Sequence, residues 1–311
     1  MIDALKHRKT STLSAVLGGA AWIAAVILLS LDLLDAILLF APLVLVPLGL
    51  QLIARGVPVT PHYRLLRWAI WGQLPAALAL AASFAFPVGS VAALCWAVPW
   101  MIVTAMVAIF GAIDLNDRRN WTPPKLTLRV AMIYLAVGGA WLLIGRLGLR
   151  PLNFPTIIVR LTPVHFHYAG FLLPLLTALA AERLPGRRAT LACLGVVAGM
   201  PLVAIGMTCS TLAPSLVVIE VIAAVILVIA CLLTASLYLQ LAARSTGASA
   251  LTARAVSGMS LAAGMSLALL YAAGRLTGTN WIDISDMIPL HGLMNGVGFS
   301  LLGLISWWFD E

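Results

Sequence analysis

The feature that most constrains the fold is a succession of long apolar stretches separated by short polar ones. Mostly apolar runs of roughly 18 to 28 residues recur along the chain, and Pro, Gly and charged residues separate them. Such a run can cross a bilayer as a helix, because a helix satisfies all its backbone hydrogen bonds internally. We therefore predict ten transmembrane helices, at roughly 13–31, 35–54, 65–86, 90–112, 128–148, 158–181, 189–209, 215–242, 253–274 and 286–309.

The composition supports a membrane protein and argues against a soluble one. Of the 311 residues, 62% are hydrophobic and 10% are charged, whereas soluble domains carry about 25% charged residues. The formal net charge is +8, and the basic residues lie in short loops between apolar runs. They therefore predict the orientation in the membrane, and we expect no nucleic-acid partner. We expect an all-α, polytopic transmembrane bundle in which residues 1–311 form a single domain.

The basic residues predict the orientation. With the N-terminus in the cytoplasm, fifteen of the 19 Lys and Arg residues fall on the cytoplasmic side. They are Lys6, Arg8, Lys9, Arg55, Arg64, Arg67, Arg118, Arg119, Lys125, Arg129, Arg183, Arg187, Arg188, Arg244 and Arg254. The exceptions are Arg146, Arg150, Arg160 and Arg275. This bias favours both termini in the cytoplasm, and we expect a bacterial inner (plasma) membrane protein.

Two sequence patterns concern packing. Residues 41–48 of the second run resemble residues 169–175 of the sixth, which indicates a weak internal repeat. Gly195-xxx-Gly199 and Gly292-xxx-Gly296 each place two glycines on one helix face, where a neighbouring backbone can approach closely. The glycine pairs predict that the seventh and tenth helices are interior.

A few strongly polar residues lie inside the apolar runs. His165 and His167 are expected roughly 10–14 Å below the outer end of the sixth helix. Glu220 in the eighth helix and His291 in the tenth are expected at roughly 7 Å, with Asn295 one turn deeper than His291. Ionisable groups at membrane depth are costly unless they have partners. We therefore predict that these side chains converge in the outer half of the bilayer to form a catalytic or binding site.

Each polar residue also has a structural interpretation. A membrane His can serve only to join helices, and Glu220 is either a neutral structural acid or a proton-handling group. Arg160 can extend to water or hold an anionic substrate group, while Tyr168 and Phe171 are expected to line an apolar substrate cavity. Residues i and i+2 of a helix point about 200° apart, so His165 and His167 should face different neighbours unless Pro163 distorts the turn.

The segment Leu161-Thr-Pro-Val-His-Phe-His-Tyr-Ala-Gly-Phe171 resembles the YndJ-like family of bacterial integral membrane proteins. Gly199-Met-Pro-Leu-Val-Ala-Ile-Gly206 and His291-Gly-Leu-Met-Asn-Gly-Val-Gly-Phe299 carry the same resemblance, which covers most of the chain. Members of this family are sometimes labelled transporters. The resemblance nevertheless implies a fold and a motif more than an activity.

His165-Phe-His-Tyr168 is also similar to the haem-ligating segment of haem–copper oxidase subunit I, where the two imidazoles ligate different haems. Except for His291, the further histidines of that family are lacking, which argues against an oxidase. A haem or divalent metal bound through His165 or His167 with His291 stays open.

These observations support three hypotheses. The first is a membrane enzyme acting on a small lipophilic substrate by cyclisation, isomerisation or hydrolysis. His165, His167, Glu220 and His291 would supply acid/base chemistry, which requires no cofactor, or ligate a metal. The second is a transporter that uses the same groups for proton-coupled binding. The third is an assembly or sensing protein whose histidines only pack helices. Membrane lipids are expected partners in each case.

Overall fold

The computed structural model describes residues 2–57, 60–116 and 121–309, and within these ranges it contains helices and no strand. The α-helices are α1 Ile2–Leu28, α2 Leu33–Phe40, α3 Val46–Gly56, α4 Tyr63–Ser83, α5 Val91–Asn116, α6 Pro123–Arg146, α7 Thr156–His165, α8 Leu173–Arg183, α9 Arg187–Leu212, α10 Val217–Ala243, α11 Ala248–Thr277, α12 Ile284–Leu293 and α13 Leu302–Ser306. Short 3₁₀ turns occupy Pro151–Asn153 and Pro214–Leu216. Three π-helical segments occupy Ala41–Leu45, Phe166–Leu172 and Met294–Leu301.

Ten of the described helical segments are long and apolar enough to span a membrane, which confirms the predicted fold class. We number them spans 1 to 10: Thr10–Leu28, Leu33–Gly56, Tyr63–Ser83, Val91–Asn116, Pro123–Arg146, Thr156–Arg183, Arg187–Leu212, Pro214–Ala243, Ala248–Thr277 and Ile284–Ser306. Their bounds differ from the predicted ones by a few residues, mainly because polar residues extend the helices beyond the apolar runs.

Spans 2, 6 and 10 share an irregularity that the apolar pattern does not predict. Each contains one of the π-helical segments near the middle of its length. The similar stretches 41–48 and 169–175 overlap the first two of these segments. A π-helical turn widens the helix and removes regular i→i−4 hydrogen bonds, and it occurs frequently at functional sites.

The chain divides into two compact units. Unit 1 comprises the described residues within Met1–Asn120 and Leu128–Leu172, and unit 2 those within Trp121–Thr127 and Leu173–Glu311. The single domain predicted for residues 1–311 stays a prediction. In unit 1, span 1 packs on spans 2 and 3, and spans 3 and 4 form a closely packed pair. In unit 2, span 8 packs against spans 7 and 9, and span 9 packs against span 10.

The burial of the spans corrects the inference drawn from the glycine pairs. Gly195 and Gly199 do lie against Ala230 and Leu227 of α10, as a close approach requires. However, spans 7 and 10 are among the less buried spans, whereas span 2 is almost entirely buried and span 6 largely so. A pair of glycines on one helix face indicates one close contact and does not require neighbours on the remaining faces.

The four arginines predicted on the outer side all have hydrogen-bond acceptors. Arg146 donates to the carbonyl oxygens of Ser83 and Phe86, and Arg150 to that of Phe154. Arg160 and Arg275 donate to carboxylates. These contacts explain how four cations can depart from the charge bias of the remaining loops. Arg118 and Arg119, which the orientation prediction also uses, lie outside the described residues.

Candidate functional site

Both histidines of span 6 donate a hydrogen bond to their own helix where it changes from α to π. His165 Nδ1 lies 2.9 Å from the carbonyl oxygen of Leu161, and His167 Nδ1 lies 2.7 Å from that of Pro163. A carbonyl oxygen only accepts, so each ring must carry its proton on Nδ1. The imidazoles thus supply donors to carbonyl oxygens just before the π-helical segment.

His167 is fully buried and both of its ring nitrogens have partners. Its Nε2 accepts a hydrogen bond from Trp100 Nε1 at 3.1 Å. Gly138 allows the ring to approach α6, because a Cβ at position 138 would lie 2.8 Å from His167 Nδ1. A second proton on Nε2 would face the indole N–H, so this contact favours a fixed, singly protonated ring.

His165 lies in different surroundings from His167, in agreement with the expectation for residues i and i+2. Its side chain is exposed, and its Nδ1 is occupied by the Leu161 carbonyl oxygen. The exposed imidazole therefore presents its Nε2 as the nitrogen available for a proton or a ligand. Of the two span 6 histidines, only His165 has a geometry that suits chemistry.

The aromatic residues predicted to line a cavity are core residues. Tyr168 is buried and donates its hydroxyl to the carbonyl oxygen of Ile37 at 2.8 Å, and Phe171 is fully buried. In a π-helical turn, the N–H of residue 42 would donate to the carbonyl oxygen of Ile37, five residues earlier. Pro42 has no N–H, so this carbonyl oxygen needs another donor. Gln73 of span 3 donates to the carbonyl oxygen of Pro42. Side chains from spans 3 and 6 thus supply donors around the irregular turn of span 2.

Arg160 is held by two carboxylates at the predicted outer end of unit 1. Its guanidinium lies 2.5 Å from Asp32 and 3.0 Å from Asp35. Partial burial favours the protonated form of Asp32, but hydrogen bonds from Arg160 and the Asp35 N–H outweigh it, so the pKa of Asp32 is lowered. The two aspartates compensate the cation, and an anionic substrate would have to compete with them.

Glu220 of unit 2 is paired with a cation at the predicted outer end of spans 8 and 9. It lies 3.1 Å from Arg275 and accepts a hydrogen bond from Ser210. Gly206 allows this approach, because a Cβ there would lie 2.7 Å from Glu220 Cα. Arg275 also lines a cavity of about 430 Å³ together with Tyr271, Asn280, Asp283, Ile284 and Ser285.

His291 and Asn295 form a polar pair in span 10. His291 Nδ1 lies 2.8 Å from the carbonyl oxygen of Gly264 in span 9, and Asn295 Nδ2 lies 3.2 Å from His291 Nε2. Both residues are partly exposed, and a Cβ at Gly264 would lie 2.8 Å from Asn295 Nδ2. Within the described part of the chain, Asn295 Oδ1 is buried and has no hydrogen-bond partner. This oxygen is an acceptor that a ligand could use.

The predicted site residues therefore occupy separate local environments. His165, His167, Arg160, Tyr168 and Phe171 belong to unit 1, whereas Glu220, His291 and Asn295 belong to unit 2. The predicted convergence of the histidines with Glu220 stays a prediction. Within unit 2, Glu220 contacts Ser210 and Arg275, and His291 contacts Gly264 and Asn295.

His167 does not fit a haem or metal site, because both of its ring nitrogens already have hydrogen-bond partners. His165 and His291 each direct Nδ1 to a carbonyl oxygen, which leaves Nε2 for a ligand, but Asn295 Nδ2 lies 3.2 Å from Nε2 of His291. Among the described residues, no group of three or more His, Cys, Asp or Glu side chains is arranged to hold a metal ion.

Two of the partners that define these environments were not predicted from the sequence. Trp100 was not singled out, because one tryptophan in an apolar run gives no indication of the residue it contacts. The pairing of Glu220 with Arg275 could have been inferred, since a membrane carboxylate requires a cation or hydrogen bonds and Arg275 is predicted on the same side.

Comparison with known proteins identifies relatives of the chain. A family model described as YndJ-like protein matches residues 36–299. The uncharacterized membrane protein YndJ of Bacillus subtilis (strain 168) is 27% identical over 218 residues, which cover 70% of this chain and 38% of that relative. The chain thus spans less than half the length of the curated relative. No solved structure matches the chain significantly.

Proposed function

The chain belongs to the YndJ-like protein family of membrane proteins, and we propose that it transports a small solute across the bilayer. The observation that carries the proposal is the π-helical segment near the middle of spans 2, 6 and 10. The family match includes the first two of these segments and most of the third. Transporters commonly bind their substrates where helices are interrupted near the midplane of the membrane.

In this proposal span 10 is the moving element. Its π-helical segment buries Gly296, Phe299 and Ser300, while Leu293 and Val297 beside them are exposed. Within unit 2, span 10 packs chiefly against span 9. Segments with few buried contacts open at a lower free-energy cost than the core of a protein. Span 6, whose π-helical segment is almost entirely buried, serves as the fixed element.

The polar residues of unit 2 suggest how a solute is recognised. Asn295 Oδ1 is an acceptor without a partner in the described residues, beside His291 in the π-helical segment. It suits a small, largely apolar solute that carries a hydrogen-bond donor. The Glu220–Arg275 pair lies beside the cavity of about 430 Å³ that Arg275 lines, which we call the outer cavity, and in this proposal the pair takes part in proton-coupled binding.

We also propose a cellular location for the protein. We place it in the inner membrane of a bacterium, with both termini in the cytoplasm. The charge bias of the loops supports this orientation.

Two-sided thiol labelling tests the transport proposal without a known substrate. The variant Asn295→Cys is made in a background in which Cys95, Cys193, Cys209 and Cys231 are replaced by Ala. A membrane-impermeant methanethiosulfonate reagent is added to right-side-out and to inside-out vesicles. Alternating access predicts labelling of position 295 from both sides.

Val297→Cys is the matched control, because Val297 is an exposed residue of the same π-helical segment. A thiol at a lipid-facing position should react from neither side, since the reagent needs water. Labelling of position 295 from one side only, or from neither side, would contradict transport through span 10.

The exposed imidazole of His165 favours a membrane enzyme as a second candidate. Its Nδ1–H is directed to Leu161, which leaves Nε2 as a general base inside a membrane span. Purified protein incubated with bacterial total lipid extract should then yield a product, detectable by mass spectrometry, that His165→Ala does not form. Identical lipid profiles with and without the unsubstituted protein would contradict this candidate.

A further inference from the structure

A cavity of unit 2 at the predicted cytoplasmic side is lined by arginines. It has a volume of about 480 Å³ and lies where α8 ends, α9 begins and α10 ends. The lining residues are Arg183, Leu184, Pro185, Gly186, Arg187, Arg188, Ala189, Gln240 and Arg244. Four of these nine residues are arginines, and none carries a carboxylate.

Two of the four arginines contact other side chains, and the other two are exposed. Arg188 donates a hydrogen bond to Gln240, and Arg183 lies over the ring of Trp307 at 5.5 Å. Arg187 and Arg244 are exposed, and neither forms an ion pair with a carboxylate in the part of the chain that the structure describes. Arg187 and Arg244 therefore add positive charge to the cavity that no described carboxylate pairs with.

A helix N-terminus adds to this charge. The helix α9 begins at Arg187, and its N-cap is Gly186, which has a φ of 145° and no side chain to cap the helix. The first N–H groups of a helix lack intrahelical acceptors and carry the positive end of the helix dipole. Gly186, Arg187, Arg188 and Ala189 all line the cavity, so these backbone donors lie beside the guanidinium groups.

We propose that this cavity binds a phosphate-bearing anion, with the headgroup of an anionic phospholipid as its principal ligand. Guanidinium groups and helix N-termini both bind phosphate oxygens. Leu184 and Ala189 are buried and give the cavity an apolar side. Basic pockets between membrane helices on the cytoplasmic side suit such headgroups.

Membrane orientation alone would not account for this arrangement. The charge bias requires positive residues in cytoplasmic loops, but it does not require them to line one cavity with a helix N-terminus. The outer cavity of the same unit differs, because its lining includes both Arg275 and Asp283. Of these two cavities, the one at the predicted cytoplasmic side is lined by described basic residues without acidic ones.

Lipid binding to the purified full chain tests this proposal. Native mass spectrometry measures the retention of phosphatidylglycerol and of phosphatidylcholine, and inorganic phosphate is added as a competitor in a separate series. The variant Arg187→Gln/Arg244→Gln removes two charges from the cavity. Arg64→Gln/Arg67→Gln is the matched control, because it removes two exposed charges from the same predicted side but outside the cavity.

We expect preferential binding of phosphatidylglycerol that weakens about 30-fold in Arg187→Gln/Arg244→Gln and is nearly unchanged in the control variant. The variant Arg187→Lys/Arg244→Lys should restore much of the preference and exclude misfolding as the cause. Binding of inorganic phosphate at micromolar concentration, lost in the same variant, would assign the site to a soluble phosphate compound. The proposal would be overturned if the protein neither prefers phosphatidylglycerol nor binds inorganic phosphate. An equal loss of lipid binding in the control variant would also overturn it.

Discussion

The histidines of span 6 and span 10 occur in similar local structure but have different surroundings. Both His167 and His291 lie in or beside a π-helical segment and donate Nδ1–H to a backbone carbonyl oxygen. His167 is fully buried against Trp100 and Gly138, whereas His291 is partly exposed beside Asn295. A histidine in or beside a π-helical segment can thus either be fixed in the core or remain an accessible polar group.

The largest expected effect is on stability, from the substitution His167→Ala. Removal of the ring leaves a cavity and deprives Trp100 Nε1 of its acceptor, which should cost about 3–5 kcal/mol. His291→Ala should cost about 1 kcal/mol, because its environment is partly exposed. Thermal unfolding of the two variants in the same detergent measures the difference. Equal losses of stability would remove the distinction between the two histidines.

A smaller loss of stability is expected when an added methyl group at position 138 crowds His167. In Gly138→Ala the new methyl group would lie 2.8 Å from His167 Nδ1, and this overpacking should cost about 1–3 kcal/mol. Gly72→Ala is the matched control, because its methyl group would lie 3.6 Å from Val103. In a His167→Ala background most of the Gly138→Ala penalty should vanish. A penalty that persists there would show that position 138 acts through another neighbour.

The third prediction compares one polar contact of span 6 with one of span 10. Tyr168→Phe removes a buried hydrogen bond to Ile37 and should cost about 1–2 kcal/mol. Asn295→Ala should cost less than about 1 kcal/mol, since Asn295 Oδ1 has no partner in the described residues. Thermal unfolding again gives both values. A larger loss from Asn295→Ala would mean that the span 10 pair is structural.

The smallest expected effect concerns pH. The pKa of Asp32 is lowered in the folded protein, so the ionised carboxylate contributes fully to the free energy of unfolding at neutral pH. This contribution is lost as the pH falls through the pKa of the folded state, below about 4. Because Asp32 is largely exposed, the contribution should stay below about 1 kcal/mol. The unfolding temperatures of the unsubstituted protein and Asp32→Asn should therefore differ slightly at pH 7 and converge at pH 3. A difference that grows towards acid pH would contradict the Arg160 pairing.

The spans could be predicted from the sequence, but their irregular turns could not. Hydropathy places all ten spans because burial in lipid requires long apolar runs. The π-helical segments depend on tertiary partners, such as Tyr168 for the turn that contains Pro42, and these partners are distant in the sequence. Likewise, His165 and His167 were singled out from the sequence, whereas their different roles depend on Trp100 and Gly138.

Hydrogen exchange of the two π-helical segments tests the central claim most directly. Mass spectrometry of the protein in lipid nanodiscs compares the amides of Met294–Leu301 with those of Phe166–Leu172. If span 10 is the moving element and span 6 the fixed one, the amides of span 10 should exchange at least about tenfold faster. Equal protection of the two segments, or faster exchange in span 6, would contradict the account.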